Sequence, residues 1–196
     1  AALAHLPGDA QVEVAELIPA VVAWARGPMA AVFAGCLDDA RVRVDVIDVA
    51  SRKQVAQVSV GARPRGIGFA PDGSVAYVAA ENSSELYLID TATSKVIAKV
   101  PAGTRSNGIA VHPDGSRVYV SNGGDASVSV FDTARREFVA TIGVGQRPWN
   151  MALTPDGSKL YVACGRSGTV AVIDTARNVK LSEIAVGKLP WGVAVR

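Results

Sequence analysis

A fixed period of 42 residues is the feature that most constrains what this chain can fold into. The tripeptide Pro-Asp-Gly occurs three times at that spacing, at residues 71–73, 113–115 and 155–157. A tyrosine follows each copy at the same interval, and Asp-Thr-Ala recurs in phase at residues 90–92, 132–134 and 174–176. A repeat of this length is typical of stacked supersecondary units, each of which buries its apolar faces against its neighbours.

One repeat unit is predicted to contain four short strands joined by tight turns. In the unit that holds the second Pro-Asp-Gly these strands are residues 108–111, 117–120, 127–131 and 137–142. Each is rich in β-branched or aromatic residues and is bounded by Gly, Pro, Asp or Asn. Pro-Asp-Gly is turn chemistry, because Pro presets φ, Asp bonds the backbone and Gly accepts positive φ. The pattern therefore predicts an all-β fold, a β-propeller of four-stranded antiparallel blades.

The phase of the repeat divides the chain into blades. We predict one propeller domain over residues 1–196, with about four blades and an incomplete one. The blades are residues 18–55 (a degenerate copy), 56–98, 99–140 and 141–182, and residues 183–196 supply the first strand of a further blade. Propellers close with typically four to eight blades. The chain is thus either part of a larger ring, seven-bladed for example and completed by further sequence or by self-association, or an atypical small ring.

Composition narrows the classes of function. Hydrophobic residues make up 49% of the chain and charged residues 19%, which predicts a packed core. The net charge of +2 comes without a Lys/Arg block, so no nucleic-acid partner is expected. No apolar run reaches the roughly 18 residues of a membrane span.

The first ten residues do not resemble a signal-peptide core. Because the sequence has no initiator Met, two alternatives stay open: a removed secretion signal, or a fragment.

Two cysteines, Cys36 and Cys164, each lie three residues after an aromatic residue in equivalent strands of different units. Equivalent positions on different blades are expected to lie farther apart than the ~7 Å Cα separation that a disulfide tolerates. We therefore predict two free thiols, which indicate no particular redox compartment.

Three arginines provide the candidate site, because Arg63, Arg105 and Arg147 recur just before the first strand of successive units. By analogy with propellers, those loops share one face with the loops between the second and third strands. Guanidinium groups bind carboxylates and phosphates with forked donors and stack on indole rings. The predicted ligand-binding residues on this face are Arg63, Arg65, Arg105, Asn107, Asn122, Arg147, Trp149, Asn150, Arg166 and Trp191.

These residues predict a shallow basic mouth with aromatic walls, suited to a small anionic ligand or to an acidic protein partner. The alternative is that the arginines only solvate the loops and the tryptophans seal the seams between blades. On the opposite face, the aspartates of Pro-Asp-Gly and Asp-Thr-Ala are expected to be turn residues.

Catalytic constellations are missing from the sequence. His5 and His112 are the two histidines, and no spacing suggests a zinc or haem-attachment site. Serines occur without a Gly-x-Ser-x-Gly elbow, and Gly-rich stretches join strand to strand, so they lack the helix of a phosphate loop. We therefore favour a non-catalytic role, with no cofactor or metal evident.

Segments such as Tyr161-Val162-Ala163, residues 169–175 and residues 143–148 resemble the YVTN-type β-propeller repeat family, from about residue 46 to residue 196. Residues 147–150 and 189–194 are most similar to bacterial members associated with catabolism of the cofactor pyrroloquinoline quinone. The resemblance implies a periplasmic or extracellular, usually seven-bladed protein without assigned catalysis. The first 45 residues depart from that pattern.

Three hypotheses follow. The first is a binding or interaction scaffold that engages an anionic ligand or a protein partner on the Arg/Trp face. The second is a propeller subunit of an oxidoreductase, in which haem or pyrroloquinoline quinone is carried by a partner. The third, a lactone hydrolase, requires convergent carboxylates and a histidine around the central channel, which this sequence does not supply.

Overall fold

The structure is a computed structural model that describes residues 43–195. The predictions for the part of the degenerate blade before residue 43, for His5 and for Cys36 lie outside the described residues. Within the described range the chain forms strands and turns without a helix.

Fourteen strands follow one another along the chain. They are β1 (Arg43–Asp48), β2 (Lys53–Ser59), β3 (Pro64–Phe69), β4 (Val75–Ala80), β5 (Glu85–Asp90), β6 (Lys95–Pro101), β7 (Ser106–Val111), β8 (Arg117–Asn122), β9 (Ser127–Asp132), β10 (Glu137–Gly143), β11 (Pro148–Leu153), β12 (Lys159–Cys164), β13 (Thr169–Asp174) and β14 (Val179–Ala185). Strands β1 and β2 pair with each other. The others form three four-stranded antiparallel sheets in chain order: sheet I (β3–β6), sheet II (β7–β10) and sheet III (β11–β14).

This arrangement confirms the all-β propeller fold with four-stranded antiparallel blades. The first strands β3, β7 and β11 lie side by side, so the sheets are arranged around a common inner edge. Gly66 and Gly108 allow this close approach, because a Cβ on either would overlap a backbone carbonyl of the next blade.

The boundaries of the sheets differ from the blade boundaries that the repeat predicts. Sheet I ends at Pro101, sheet II at Gly143 and sheet III at Ala185, so the boundaries 98/99, 140/141 and 182/183 cut each fourth strand. The period fixes the spacing between units and not the residue at which a unit starts. Residues 186–195 form no strand; they take part in three backbone hydrogen bonds, from Val186 N and Gly187 N to Gly168 O at 3.0 and 3.4 Å and from Asn150 N to Trp191 O at 3.3 Å. The division into one domain stays a prediction.

A β-bulge recurs in the last strand of each unit, namely in β2, β6, β10 and β14. One residue is left without a pairing partner between the third and fourth strands, and the four bulged residues are Val55, Ile97, Val139 and Leu181. They are 42 residues apart, and each apolar side chain is exposed at the outer edge. Because a bulge increases local twist, it bends the outer edge of each blade in the same way.

The core lies between neighbouring sheets. In β8, Val118 and Val120 pack against sheet I, whereas Tyr119 packs against sheet III. Successive side chains of a strand point to opposite faces, so a blade that is covered on both faces is apolar at almost every position. This explains the near-continuous apolar runs of the second and third strands.

The aspartates of the repeat motifs are turn residues, as predicted. Asp114 accepts a hydrogen bond from Ser116 N at 2.8 Å, and Gly115 has a φ of 75°. Thr133 Oγ1 then donates to Gly115 O at 2.8 Å and ties the two turns of the blade together. Equivalent bonds occur in the units on either side.

Over residues 43–195, no helix is long and apolar enough to cross a membrane.

Candidate functional site

The three repeated arginines are presented by a loop clip that recurs in each blade. The carbonyl oxygens of Arg63, Arg105 and Arg147 accept hydrogen bonds from the first backbone N–H after the second strand, at 2.8, 2.9 and 3.0 Å. These bonds join the loop that enters each blade to the loop between its second and third strands. The two kinds of loop therefore lie on one face, as the sequence predicts.

The arginine at each clip has a left-handed backbone. The φ values are 59° at Arg63, 55° at Arg105 and 57° at Arg147, and Leu189 has a φ of 52° at the equivalent position. A non-glycine residue in this region is disfavoured unless its surroundings hold it there. Here a side-chain oxygen from the adjoining loop accepts the preceding backbone N–H, as Ser83 Oγ does for Ala62 N at 2.7 Å. The arginines are thus fixed at the backbone level.

Four arginines converge on one carboxylate, and we call this set the arginine cluster: Arg63, Arg65, Arg105, Arg147 and Glu81. Glu81 Oε2 lies 3.1 Å from Arg65 Nε and 3.3 Å from Arg63 Nε. Glu81 Oε1 lies 3.3 Å from Arg147 Nη2 and 4.0 Å from Arg105 Nη1. Residues from three successive blade-entry loops therefore meet at a single side chain of sheet I.

Glu81 is fully buried, whereas the arginines around it are partly open to solvent. The exposed fraction of the side chain is 18% for Arg147 and 52% for Arg105. Arg147 donates a hydrogen bond to Oε1, but Oε2 and Arg63 Nε have no directed hydrogen-bond partner. Four guanidinium groups thus share one carboxylate, and the cluster retains a net positive charge that favours a further anion.

A pocket of about 260 Å³ opens beside the cluster, and we call it the anion pocket. It is lined by Arg105, Gly123, Gly124, Gln146, Arg147 and Arg166. Partial burial lowers the pKa of Arg147; Glu81 opposes this change, while the charges of Arg105, Arg166 and Arg63 add to it. The same positive charges that disfavour one another would each be stabilised by an anion in the pocket.

Two indole rings lie on the same face. Trp149 stacks on Trp191 with a centroid distance of 4.2 Å and an interplanar angle of 19°. Trp149 also covers Gly165, where a Cβ would overlap the ring. The indoles therefore pack on each other and on the loop beside Arg166, and Trp191 keeps 58% of its surface exposed.

The three asparagines lie outside the arginine cluster. Asn107 is buried in β7, with its carbonyl against Gly66. Asn122 is 1% exposed and donates to Ser127 Oγ and Ser129 Oγ inside sheet II. Asn150 is exposed in β11, where its N–H bonds Trp191. The structure therefore brings together the arginines of the predicted site and sets the asparagines apart from them.

Glu81 was missed by the sequence reasoning, although the repeat contains a signal for it. The equivalent residues of the next two units are Gly123 and Gly165. The two other units have glycine at this position, beside the loop that carries the repeated arginine. Alignment of the three units is therefore enough to show that the carboxylate of Glu81 is an exception. Its burial and its four partners depend on the fold.

On the opposite face, His112 lies at the seam between sheets II and III. Its Nδ1 is 2.6 Å from Asp114 Oδ1, and its ring covers Gly157 in the turn of the next blade. Hydrogen bonds from Ser116, followed by the contact with His112, lower the pKa of Asp114 to about 2. No cluster of His, Cys, Asp and Glu that could hold a metal occurs in the described part of the chain.

The model of the family described as "Lactonase, 7-bladed beta-propeller" matches residues 30–190. Among solved structures, hydrazine synthase of Kuenenia stuttgartiensis is 26% identical, with a TM-score of 0.71, over 74% of this chain and 43% of that one. A functionally unknown protein of Desulfotomaculum acetoxidans DSM 771 is 21% identical, with a TM-score of 0.66, over 74% of this chain and 49% of that one. The chain thus spans less than half the length of both. No curated protein matches.

Proposed function

The chain belongs to the seven-bladed β-propeller lactonase family, and we propose that its arginine cluster and anion pocket bind an organic anion. The observation that carries this proposal is the imbalance of charge around Glu81. One buried carboxylate faces four guanidinium groups, and a fifth, Arg166, lines the adjoining pocket. Solvation of loops does not require arginines from three blades to meet at one point.

Pocket size and chemistry support a small ligand. A volume of about 260 Å³ lies just below the range of roughly 300–1,000 Å³ that ligand sites usually have, which suits a small anion. Arg105, Arg147 and Arg166 offer forked donors that match a carboxylate. Arg166 forms no salt bridge within residues 43–195, so its charge is available to a ligand.

The test is calorimetric titration of the protein with succinate and with pyrroloquinoline quinone at low ionic strength. We expect Arg147→Ala and Arg166→Ala to weaken binding roughly tenfold to a hundredfold, as for a lost charge-assisted hydrogen bond. Arg177→Ala is the matched control, because Arg177 is an exposed arginine on the opposite face. Equal binding by the native protein and both variants would refute the anion site.

Lactone hydrolysis is a second candidate, favoured by the family match over residues 30–190. In that reaction water adds to the ester carbonyl, the acyl C–O bond of the ring breaks, and one hydroxycarboxylate and one proton are formed. Guanidinium groups would stabilise the developing oxyanion and the product carboxylate. The test is proton release from γ- and δ-lactones at constant pH. Hydrolysis that is lost in Arg147→Ala and kept in Arg177→Ala would support this candidate, and no proton release would exclude those lactones as substrates.

The propeller-subunit hypothesis is supported by the 26% identity to hydrazine synthase, of which this chain covers 43%. The proposal is that this propeller serves an oxidoreductase whose haem or quinone cofactor is held by a partner, with the acidic surface of that partner on the arginine cluster. The spectrum of the native complex would show that cofactor.

Two further statements stay proposals: the resemblance to YVTN-type and pyrroloquinoline-quinone-associated propellers, and the periplasmic or extracellular location. Fractionation of cells that express the full reading frame would test the location.

A further inference from the structure

A second pocket adjoins the anion pocket, and we call it the side pocket. Its volume is about 470 Å³, and it is lined mainly by Gly165, Gly168, Ala185, Gly187, Leu189 and Arg166. Arg166 lines both pockets, so the two sites share one residue of the loop between β12 and β13. A ligand that occupies both pockets would pass beside Arg166.

The side pocket differs from its neighbour in chemistry. Its wall is mostly glycine backbone and small apolar side chains, with Lys188 as a further cation. Gly168 has a φ of 66° and Gly187 a φ of 120°, conformations that favour glycine and keep this wall free of side chains. Leu189 occupies the position that is arginine in the three preceding units, and it is 61% exposed.

The replacement of arginine by leucine changes the site at this blade. Arg105 and Arg147 line the anion pocket, whereas Leu189, at the equivalent left-handed position, lines the side pocket. The face thus offers a cationic pocket and a second, mainly apolar pocket, with Arg166 in the lining of both. Burial of an apolar group of the ligand in the side pocket would stabilise the complex in proportion to the apolar area removed from water.

We infer that the ligand of this face is an amphiphilic monocarboxylate, with the carboxylate in the anion pocket and an apolar body of about five carbons in the side pocket. This inference rests on the proposed function, because it presupposes that the anion pocket binds a carboxylate. It adds the chemical class of the rest of the molecule.

The test compares acetate with hexanoate on the full chain, by NMR titration of the Trp indole N–H signals at low ionic strength. Four additional CH₂ groups are expected to raise affinity at least roughly tenfold, even if each is only partly buried. Ala185→Phe fills the side pocket and should abolish the gain from chain length while acetate still binds. Leu181→Phe is the matched control, because it adds the same ring to β14 at a residue that does not line the pocket.

The outcomes separate the two proposals. Equal affinities for acetate and hexanoate in the native protein would overturn the side-pocket inference and leave the anion pocket intact. No binding of either anion would overturn both. A gain from chain length that survives Ala185→Phe would place the apolar body elsewhere and would also overturn the inference.

Discussion

Arg147 Nη2 lies 3.3 Å from Glu81 Oε1, although 66 residues and a whole blade separate the two side chains. Glu81 follows β4 in sheet I, and Arg147 precedes β11 in sheet III. The contact spans sheet II and joins three successive blades at their common face. It therefore couples the proposed binding site to the packing of the ring.

A double-mutant cycle on Glu81 and Arg147 should show strong coupling. Glu81→Gln leaves four guanidinium groups without a counter-charge, and we expect it to lower the free energy of unfolding by about 1–3 kcal/mol. That loss should shrink in Arg147→Ala, because one of the repelling charges is then absent. Urea denaturation measures both effects. Glu137→Gln is the control, since Glu137 is exposed and about 0.5 kcal/mol or less is expected there. Additive effects of the two mutations would contradict the coupling.

Gly165→Ala should disturb the tryptophan pair. The added methyl group overlaps the Trp149 ring, so the indole must move and its stacking on Trp191 must change. We expect a loss of about 1–3 kcal/mol in stability, typical of overpacking, with a shift in tryptophan emission. Gly143→Ala is the control, because a Cβ there meets no atom within 4 Å. Identical emission from the native protein and Gly165→Ala would show that the ring does not pack on this glycine.

Asp114 should titrate well below its ordinary range. Its pKa in the folded protein is about 2, chiefly because Ser116 donates hydrogen bonds to the ionised carboxylate. A lowered pKa in the folded state means that the ionised form stabilises folding above the ordinary aspartate pKa of about 4. This contribution is lost as the pH falls from about 4 through 2. NMR titration of the side-chain carboxyl gives the midpoint, and a value near 4 would contradict the turn hydrogen bonds.

Cys164 should resist thiol reagents in the native protein. The side chain is fully buried, and burial raises the pKa of its thiol, so both access and thiolate are reduced. In a Cys36→Ser background, Ellman's reagent is expected to react fully in guanidinium chloride and very slowly without it. Rapid reaction of the folded variant at pH 8 would show that sheet III opens readily at this strand.

Much of the fold could be predicted because its determinants are local. Pro-Asp-Gly and Asp-Thr-Ala encode turns through φ preferences and short hydrogen bonds, and the apolar runs between them have strand length. Their fixed period then implies identical blades. The bulges at Val55, Ile97, Val139 and Leu181 were not predicted, because these residues are ordinary β-formers and a bulge depends on the register between two strands.

The candidate site was predictable only in part. The repeat placed Arg63, Arg105 and Arg147 at equivalent loop positions, and the loop clip confirms that arrangement. It also suggested that Asn122 belongs to the same face, but the asparagine turns inward and bonds two serines of its own sheet. The direction of a side chain at a strand end depends on which hydrogen-bond partners the neighbouring strand provides.

By itself, then, the sequence determined the period, the turns, the all-β blades and the placing of three arginines on one rim, since each depends on residues close along the chain. Only the tertiary structure decided that these arginines meet at Glu81, that Arg166 lines two pockets, and that Leu189 lines the side pocket. Those relationships arise from distances between blades. The angular packing of whole sheets sets these distances, and no short segment encodes it.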